Sequence, residues 1–279
     1  MSRTLKLIVF MMNIRKLGIL NVGKSFFCGN GFSRNGEFGQ AKKEDQLEIE
    51  KAILNNTEIS QDHLTPELKL HLLTPNCPLY HAAETSQSTN ANQAREKKYF
   101  QDPFWSIYWP GGQVLTRFVL DMGIKLLSDK SGENSSVLDL GSGCGASAIA
   151  AKLSGARQVL ANDIDEVACV AILMNAKLNN VDLKVSKENL IEETLNELFN
   201  VILIGDLLYD EEIAEKLIPW LERSSRTGSR IYLGDPGRHG LTEDLKKRMT
   251  PICRYDLPEN VKKENHGFDS AVVWRFVPS

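Results

Sequence analysis

The chain lacks the long apolar run and the paired cysteines that mark several large classes of protein. No uninterrupted hydrophobic stretch in its 279 residues approaches the roughly 20 residues that a membrane-spanning helix needs. Its five cysteines are an odd number and form no Cys-x-x-Cys pair, which argues against a disulfide framework and a cysteine-only zinc site. The sequence therefore predicts a protein without membrane insertion or bound metal, in a reducing compartment.

Acidic residues are absent from the beginning of the chain and in excess everywhere else. Six Lys and Arg residues precede the first acid, Glu37, and removing them leaves 27 basic against 36 acidic residues in the remainder. An acidic body suits a phosphate backbone poorly, because Lys and Arg supply most of the affinity for nucleic acids. We expect no nucleic-acid partner and favour a small or basic substrate.

Residues 1–40 are basic, poor in acid and dotted with Ser, Asn and Gly, a composition typical of a mitochondrial presequence. The apolar run Leu7–Met12 is too short for the core of a secretory signal. The basic residues do not gather on one helical face, so a disordered basic tail remains the alternative. We expect a presequence over 1–40, a helical extension and linker over 41–112, and the main domain over 113–279. The predicted location is the mitochondrial matrix, with the cytoplasm as a second, additional location.

The extension is predicted to be mainly helical. A short amphipathic helix is expected over 41–57, and a second between the Thr-Pro steps at 65–66 and 74–75. The segment 86–98 is polar and has the composition of a linker or exposed loop. A helix with apolar periodicity is expected over 113–127.

From Ser136 onward, short apolar runs alternate with helical patterns of about ten residues. The predicted strands are 137–140, 158–162, a strand at Val185, 201–206, 230–235 and two antiparallel strands at the C-terminus. Strands separated by helices of this length imply a mostly parallel sheet covered by helices on both faces. The predicted fold is therefore α/β and doubly wound.

A glycine-rich segment, Asp139-Leu-Gly-Ser-Gly-Cys-Gly145, stands where the first strand ends and a helix starts. Glycine permits unusual backbone angles and lets a ligand approach the chain closely. The spacing is G-x-G-x-G instead of the G-x-G-x-x-G of dinucleotide sites, and Asp139 places negative charge where a pyrophosphate would lie. A nucleoside without phosphate, above all S-adenosylmethionine, fits better, and a tight turn without ligand is the alternative. No His adjoins Cys144, so we expect it to be a small packing residue.

Two further carboxylates follow strands. Asp163 ends the second strand, the position from which a carboxylate reaches a ribose diol, and Asp165 is predicted to cap the next helix. Asp206 and Tyr209 follow the fourth strand, and for Asp206 a helix N-cap is the alternative. Because ligands of open α/β sheets bind at the carboxyl ends of strands, the carboxylates of Asp139, Asp163 and Asp206 are expected to converge on one crevice.

The segments FWSIYWPGGQVL, VLDLGSGCGASAIAAKLSGARQVLANDID and VILIGDLLYD together resemble the seven-β-strand, class I S-adenosylmethionine-dependent methyltransferases. Within these, the chain is most similar to the electron transfer flavoprotein β-subunit lysine methyltransferases, with the ribosomal protein L11 methyltransferases as more distant relatives. The resemblance covers residues 57–279 and rests on WPGGQ, GSGCGA, ANDID, GD-x-x-YD and GDPGR in this order. It implies a Rossmann-like domain with a seven-stranded sheet and a small N-terminal helical extension.

The resemblance also implies roles for the site residues. In similar enzymes the glycine loop lies against the methionine part of the cofactor, Asp163 holds the ribose hydroxyls and Ile164 packs beside the adenine. Trp109 would line the pocket, and Asn189 would meet the adenine edge. The predicted cofactor-binding residues are Trp109, Asp139, Gly141, Ser142, Gly143, Cys144, Gly145, Asp163, Ile164 and Asn189.

Asp206 and Tyr209 are the predicted catalytic residues, because this acid-x-x-aromatic motif faces the acceptor nitrogen in similar enzymes. Methyl transfer from a sulfonium depends mainly on positioning and electrostatics. We hypothesise that Asp206 draws in the lysine ammonium and orients the amine, while the rings of Tyr209 and Trp109 line the channel. The GDPGR segment at 234–238 is either a contact for a protein substrate or an ordinary turn.

The implied function is methylation of lysine side chains of the electron transfer flavoprotein β subunit by a monomeric mitochondrial enzyme. A methyltransferase of another protein, of the ribosomal type, or of a small amine is the alternative. Two weaker alternatives are a non-catalytic cofactor-binding module and a nicotinamide-dependent dehydrogenase. Methylation of nucleic-acid bases is disfavoured, because Leu207-Leu208 stands where such enzymes typically carry Pro-Pro-aromatic after the acid.

Overall fold

The computed structural model describes residues 40–81, 99–100, 103–127, 135–192, 197–265 and 267–278. The predicted presequence, apart from Gln40, and the polar linker 86–98 lie outside these residues. Within them, no helix combines the length and the apolar character required to cross a membrane.

The N-terminal region mixes helices with a short strand pair. Its elements are α1 (Gln40–Asn56), β1 (Glu58–Ser60), β2 (Leu70–Leu72), α2 (Pro78–His81) and a 3₁₀ turn at Phe104–Ser106. Helix α1 confirms the helix expected over 41–57, and β1 pairs antiparallel with β2.

The helix expected between the two Thr-Pro steps is wrong, because that segment contains β2 instead. All three residues of β2 are buried. The backbone N–H of His71 donates to the side chain of Asn175, 104 positions further along the chain. The burial of β2 and its hydrogen bond to a distant residue stabilise the strand conformation. Neither can be read from the local sequence pattern.

The main domain alternates strands and helices as predicted. In chain order its elements are α3 (Pro110–Leu127), β3 (Ser136–Leu140), α4 (Ala146–Leu153), β4 (Gln158–Asn162), α5 (Glu166–Leu178), β5 (Lys184–Ser186), β6 (Val201–Gly205), α6 (Glu211–Arg226), β7 (Arg230–Asp235), α7 (Glu243–Lys246), β8 (Met249–Asp256), α8 (Glu259–Glu264) and β9 (Ser270–Phe276). The seven-stranded sheet has the order β5-β4-β3-β6-β7-β9-β8. Strands β3 to β7 are parallel, and β9 is antiparallel to both β7 and β8. The doubly wound α/β fold is confirmed.

The strand order reverses direction at β3, which has β4 on one side and β6 on the other. A doubly wound sheet opens a crevice at such a point, outside the carboxyl ends of its strands. The ends of the adjacent strands β4, β3, β6 and β7 carry Asp163, Asp139, Asp206 and Asp235. The fold therefore concentrates carboxylates at one edge of the sheet.

Two hydrophobic clusters cover the two faces of this sheet. Leu203 of β6 belongs to the cluster that includes residues of α3, α4 and α5, whereas its neighbours Ile202 and Ile204 belong to the cluster with α6. Successive strand residues point to opposite faces, so a fully apolar strand such as β6 must be buried on both.

The first turn of α3 lies directly on the ends of β6 and β7. A Cβ added at Gly111 would collide with the carbonyl oxygen of Gly234, and one added at Gly205 would lie 2.9 Å from Cα of Gly112. Helix α3 begins at Pro110, before the predicted start at 113, as suits a residue favoured at the first helical position. Glycines in α3 and in the two strands therefore allow the N-terminus of α3 to lie beside the crevice.

Replacing Gly111 with Ala is expected to lower the free energy of unfolding by about 1–3 kcal/mol, because the new methyl group must push backbone aside. Gly112 is the matched control, since a Cβ there meets only ring atoms of Tyr108, at 3.6 and 3.8 Å. Urea unfolding of the two variants measures the difference. Equal midpoints for the two alanine variants would show that the close contact is not a constraint.

Candidate active site

The loop between β3 and α4 presents bare backbone to the crevice. Gly141, Gly143 and Gly145 have φ values of 67°, 55° and 84°, a region that favours glycine. A Cβ added at Gly143 would have Cα of Trp105 as its nearest neighbour at 3.9 Å, so the space over this residue is open. At Gly141 a Cβ would collide with the side chain of Leu207. The loop that follows β6 therefore lies against the glycine loop.

Asp139 stabilises the glycine loop and the start of α4 through two hydrogen bonds. Its Oδ2 accepts hydrogen bonds from the Ser142 hydroxyl at 2.5 Å and from the Ala148 N–H at 3.0 Å. Burial raises the pKa of Asp139 to about 6, against the opposing effect of the Ser142 hydrogen bond. Gly145, at the N-cap of α4, has no side chain to cap the helix, so the carboxylate of Asp139 serves its first turn. A phosphate bound at this helix N-terminus would lie close to that negative charge.

Asp163 ties the end of β4 to the same loop. Its two oxygens accept from the N–H groups of Gly143 at 2.9 Å and Asp165 at 3.0 Å. Burial raises its pKa above the ordinary value. Two carboxylate oxygens together offer about four acceptor positions, so capacity remains for a hydroxyl donor. Asp165 in turn accepts from the N–H of Val167 and caps α5, as predicted.

These residues fit a nucleoside without phosphate. Ile164, next to Asp163, is 71% exposed and offers an apolar surface suited to an adenine ring. The open backbone at Gly143, the acceptor capacity of Asp163 and this apolar side chain lie close together. The N-terminus of α4, in contrast, already carries the carboxylate of Asp139. The chain's own residues thus suit S-adenosylmethionine and disfavour a diphosphate. Asn189 is exposed in the segment that follows β5.

Cys144 is buried in the loop, and burial raises the pKa of its thiol to about 12. A thiol in this state is a poor nucleophile, which agrees with the packing role expected for it. Among the residues that the structure describes, no group of three or more His, Cys, Asp or Glu side chains is arranged to hold a metal ion.

Asp206 is buried, 5% exposed, and each of its two carboxylate oxygens accepts a hydrogen bond. Its Oδ1 accepts from Nε of Arg238 at 2.6 Å, and its Oδ2 accepts from the N–H of Gly111 at 2.5 Å. The helix N-cap alternative for Asp206 is wrong, since Asp210 caps α6. The acid-x-x-aromatic motif predicted a carboxylate open to an incoming ammonium, whereas the structure pairs this carboxylate with an arginine.

The backbone of Asp206 is also unusual. Its φ is 59°, in the left-handed region, and its N–H donates to the carbonyl oxygen of Gly234 at 3.0 Å. Asp tolerates this region better than most residues, but such conformations usually persist only where the surroundings hold them. Contacts to α3, β7 and Arg238 together hold Asp206 at the strand end.

An aromatic wall lies beside this carboxylate. The ring of Phe104 lies 6.3 Å from that of Trp109 and 6.3 Å from that of Tyr209, measured between centroids. The guanidinium carbon of Arg238 lies 5.5 Å from the centroid of Trp109. Phe104 therefore connects the rings of Trp109 and Tyr209. The sequence pattern did not distinguish Phe104 from the other aromatic residues of its segment.

Asp235 and Arg238 are site residues that sequence reasoning did not assign. Oδ1 of Asp235 accepts from the N–H groups of Gly237 at 2.6 Å and Arg238 at 2.8 Å. Burial, together with the charge of Asp206, raises the pKa of Asp235 to about 6. The GDPGR segment therefore forms a turn, which was one of the two predictions for it. This turn places the side chain of Arg238 against Asp206. The clue in the sequence was a fourth acid at the end of a parallel strand.

Replacing Asp163 with Ala is expected to weaken S-adenosylmethionine binding at least about tenfold, because a charge-assisted hydrogen bond contributes about 1.5–3 kcal/mol. Asp165→Ala is the matched control: it removes the α5 cap, at about 1 kcal/mol of stability, and leaves affinity within a few-fold. Calorimetric titration measures both. Equal affinities for the Asp163 variant and its parent would refute the ribose role.

The chain is similar to several known proteins. Residues 96–250 match the family described as lysine methyltransferase. The solved structure of the N-methyltransferase NodS from Bradyrhizobium japonicum WM9, a complex with S-adenosyl-l-homocysteine, is 16% identical with a TM-score of 0.45, covering 66% of this chain and 96% of that chain.

Two curated relatives are much more similar in sequence. The electron transfer flavoprotein beta subunit lysine methyltransferase of Xenopus laevis is 42% identical over 229 residues, 81% of this chain and 86% of that protein. The protein of the same name from Danio rerio is 40% identical over 82% of this chain and 83% of its own length. The chain therefore belongs to the lysine methyltransferase family and, within it, to the electron transfer flavoprotein beta subunit lysine methyltransferases.

Proposed function

We propose that this chain methylates lysine side chains of the electron transfer flavoprotein β subunit, acting as a monomer in the mitochondrial matrix. As a member of its family it is an S-adenosylmethionine-dependent protein-lysine N-methyltransferase. The substrate is the one that the names of its relatives carry. The structural observation that best supports methyl transfer is the contact between Leu207 and the glycine loop, because it sets the Asp206–Tyr209 segment beside the predicted cofactor-binding residues.

S-adenosylmethionine, when bound, supplies a methyl group already activated by its sulfonium. The chain must hold the acceptor amine in line and in its neutral form. A free lysine has a pKa of about 10.4, so deprotonation near pH 8 costs on the order of 3 kcal/mol. Asp206, fixed by Gly111 and Arg238, offers an oriented acceptor for an amine N–H, while the rings of Trp109, Phe104 and Tyr209 form an apolar wall. The proton can leave to water.

The function is tested by incubating the purified flavoprotein β subunit with this enzyme and isotope-labelled S-adenosylmethionine. We expect labelled methyl groups on its lysines, detected by mass spectrometry of its peptides. A ribosomal protein fraction and small amines serve as competing acceptors. Label confined to either of those would contradict the proposed substrate, and absence of any transfer would contradict the activity.

Replacing Asp206 with Asn should reduce turnover by about 100-fold or more, the range for loss of one preorganised electrostatic group at a reacting centre. The amide keeps the size of the side chain and an oxygen for Gly111, so cofactor affinity should change by no more than a few-fold. Asp210→Asn is the control on the same loop, since Asp210 only caps α6. An Asp206→Asn enzyme with parental turnover would remove Asp206 from the mechanism.

The mitochondrial location is tested with residues 1–40 fused to a fluorescent protein. Import is expected to carry the fusion into mitochondria, because basic, acid-poor N-terminal segments direct it. A fusion in which Arg3, Lys6, Arg15 and Lys16 are replaced by Gln should remain in the cytoplasm. If the unaltered fusion stays in the cytoplasm, the segment is an ordinary basic tail.

A further inference from the structure

The ion pair of Asp206 and Arg238 is buried beside the aromatic ring of Trp109. Arg238 is 7% exposed, and its Nε lies 2.6 Å from Oδ1 of Asp206. A buried carboxylate without a partner costs several kcal/mol, so removing either member of such a pair is unfavourable. The pair is therefore expected to persist when other groups enter the site.

Arg238 is held from three sides. Asp235 binds the backbone N–H groups of Gly237 and Arg238, and Gly237 has a φ of 102°, which makes the turn tight. The guanidinium carbon lies 5.5 Å from the ring of Trp109 and 5.1 Å from that of Phe268. A planar guanidinium stacks well on aromatic faces. These contacts hold the guanidinium beside Asp206, so any effect of Arg238 on the reaction is exerted through Asp206 or on groups next to it.

The net charge at Asp206 matters for methyl transfer, because it affects whether the substrate lysine is protonated. A carboxylate alone beside a lysine favours the ammonium form, which cannot accept a methyl group, whereas a neighbouring cation favours the neutral amine. An unpaired Asp206 would attract the substrate lysine and then keep it protonated. A carboxylate already paired with a guanidinium still accepts a hydrogen bond but exerts much less net charge.

We propose that Arg238 is a positioning residue for methyl transfer: it orients the Asp206 carboxylate and offsets its charge, so that the acceptor lysine loses its proton to water. This inference rests on the proposed lysine methyltransferase function and deepens it. It assigns to the GDPGR turn a part in the reaction instead of a part in substrate docking.

The other charged groups around the pair do not replace Arg238. Asp235 adds a second negative charge, since its pKa of about 6 leaves it ionised above neutral pH. Arg117, the first charged residue of α3, pairs with Glu67 and Asp121. His266 lies outside the described residues. Among the described residues, the titratable or charged side chains within four positions of Asp206, Arg238 or Phe268 in the sequence are Tyr209, Asp210, Asp235, His239, Glu264 and Asp269.

The test is the pH dependence of kcat and KM for methylation of the flavoprotein β subunit between pH 7 and 9.5. Arg238→Gln keeps a hydrogen-bond donor and removes the charge, whereas Arg238→Lys keeps the charge. Arg248→Gln is the matched control, because Arg248 also pairs with a carboxylate, Glu222, and lies over a ring, that of Phe276, on another part of the sheet. Circular dichroism and cofactor titration establish that each variant is folded and binds S-adenosylmethionine.

For Arg238→Gln we expect kcat to fall at least about tenfold at pH 7.5, equivalent to one unit in the pKa of the bound amine, and to recover as the pH approaches 9.5. Arg238→Lys should restore most of the parental profile, and Arg248→Gln should follow it throughout. A loss in Arg238→Gln that is the same at every pH, or no loss, would overturn the inference while leaving the function intact. A parent enzyme that transfers no methyl group to any lysine would overturn both.

Discussion

The hydrogen bond from the N–H of Gly111 to the carboxylate of Asp206 joins the two halves of the site. It ties the first turn of α3 to the end of β6, and the same carboxylate holds Arg238 from the turn after β7. The bond can form only because Gly111 and Gly234 bring backbone against backbone. It helps to fix the position of the aromatic residues at the start of α3 relative to the acid-x-x-aromatic loop.

The carboxylates at the strand ends stabilise the protein's own backbone through hydrogen bonds, in addition to their proposed roles in binding ligands. Asp139 serves the N-terminus of α4, Asp163 holds the N–H of Gly143, and Asp235 shapes the turn that carries Arg238. In many α/β proteins a bound phosphate takes the first of these positions. Because the chain supplies the negative charge itself, the crevice suits a positively charged sulfur nucleoside and a lysine better than a dinucleotide.

Local patterns in the sequence were sufficient for features that depend on neighbouring residues. The cap of α5 by Asp165, the glycine loop and the alternation of strands with helices all follow from short spacings, and the structure has them. Strand β2 was mistaken for a helix, because its conformation depends on burial and on Asn175. Phe104 was hidden within a segment of several aromatic residues, any of which fits an apolar pocket.

The sequence by itself determined the fold class, the family and the position of the acids at the strand ends, because each of these is written in periodicity and in short motifs. Only the tertiary structure decided what each acid does. Asp206 and Arg238 are 32 positions apart, and their pairing depends on β6 and β7 lying side by side with α3 resting on both. Whether a carboxylate is free or neutralised is a property of that packing, since the residue type alone is the same in either case.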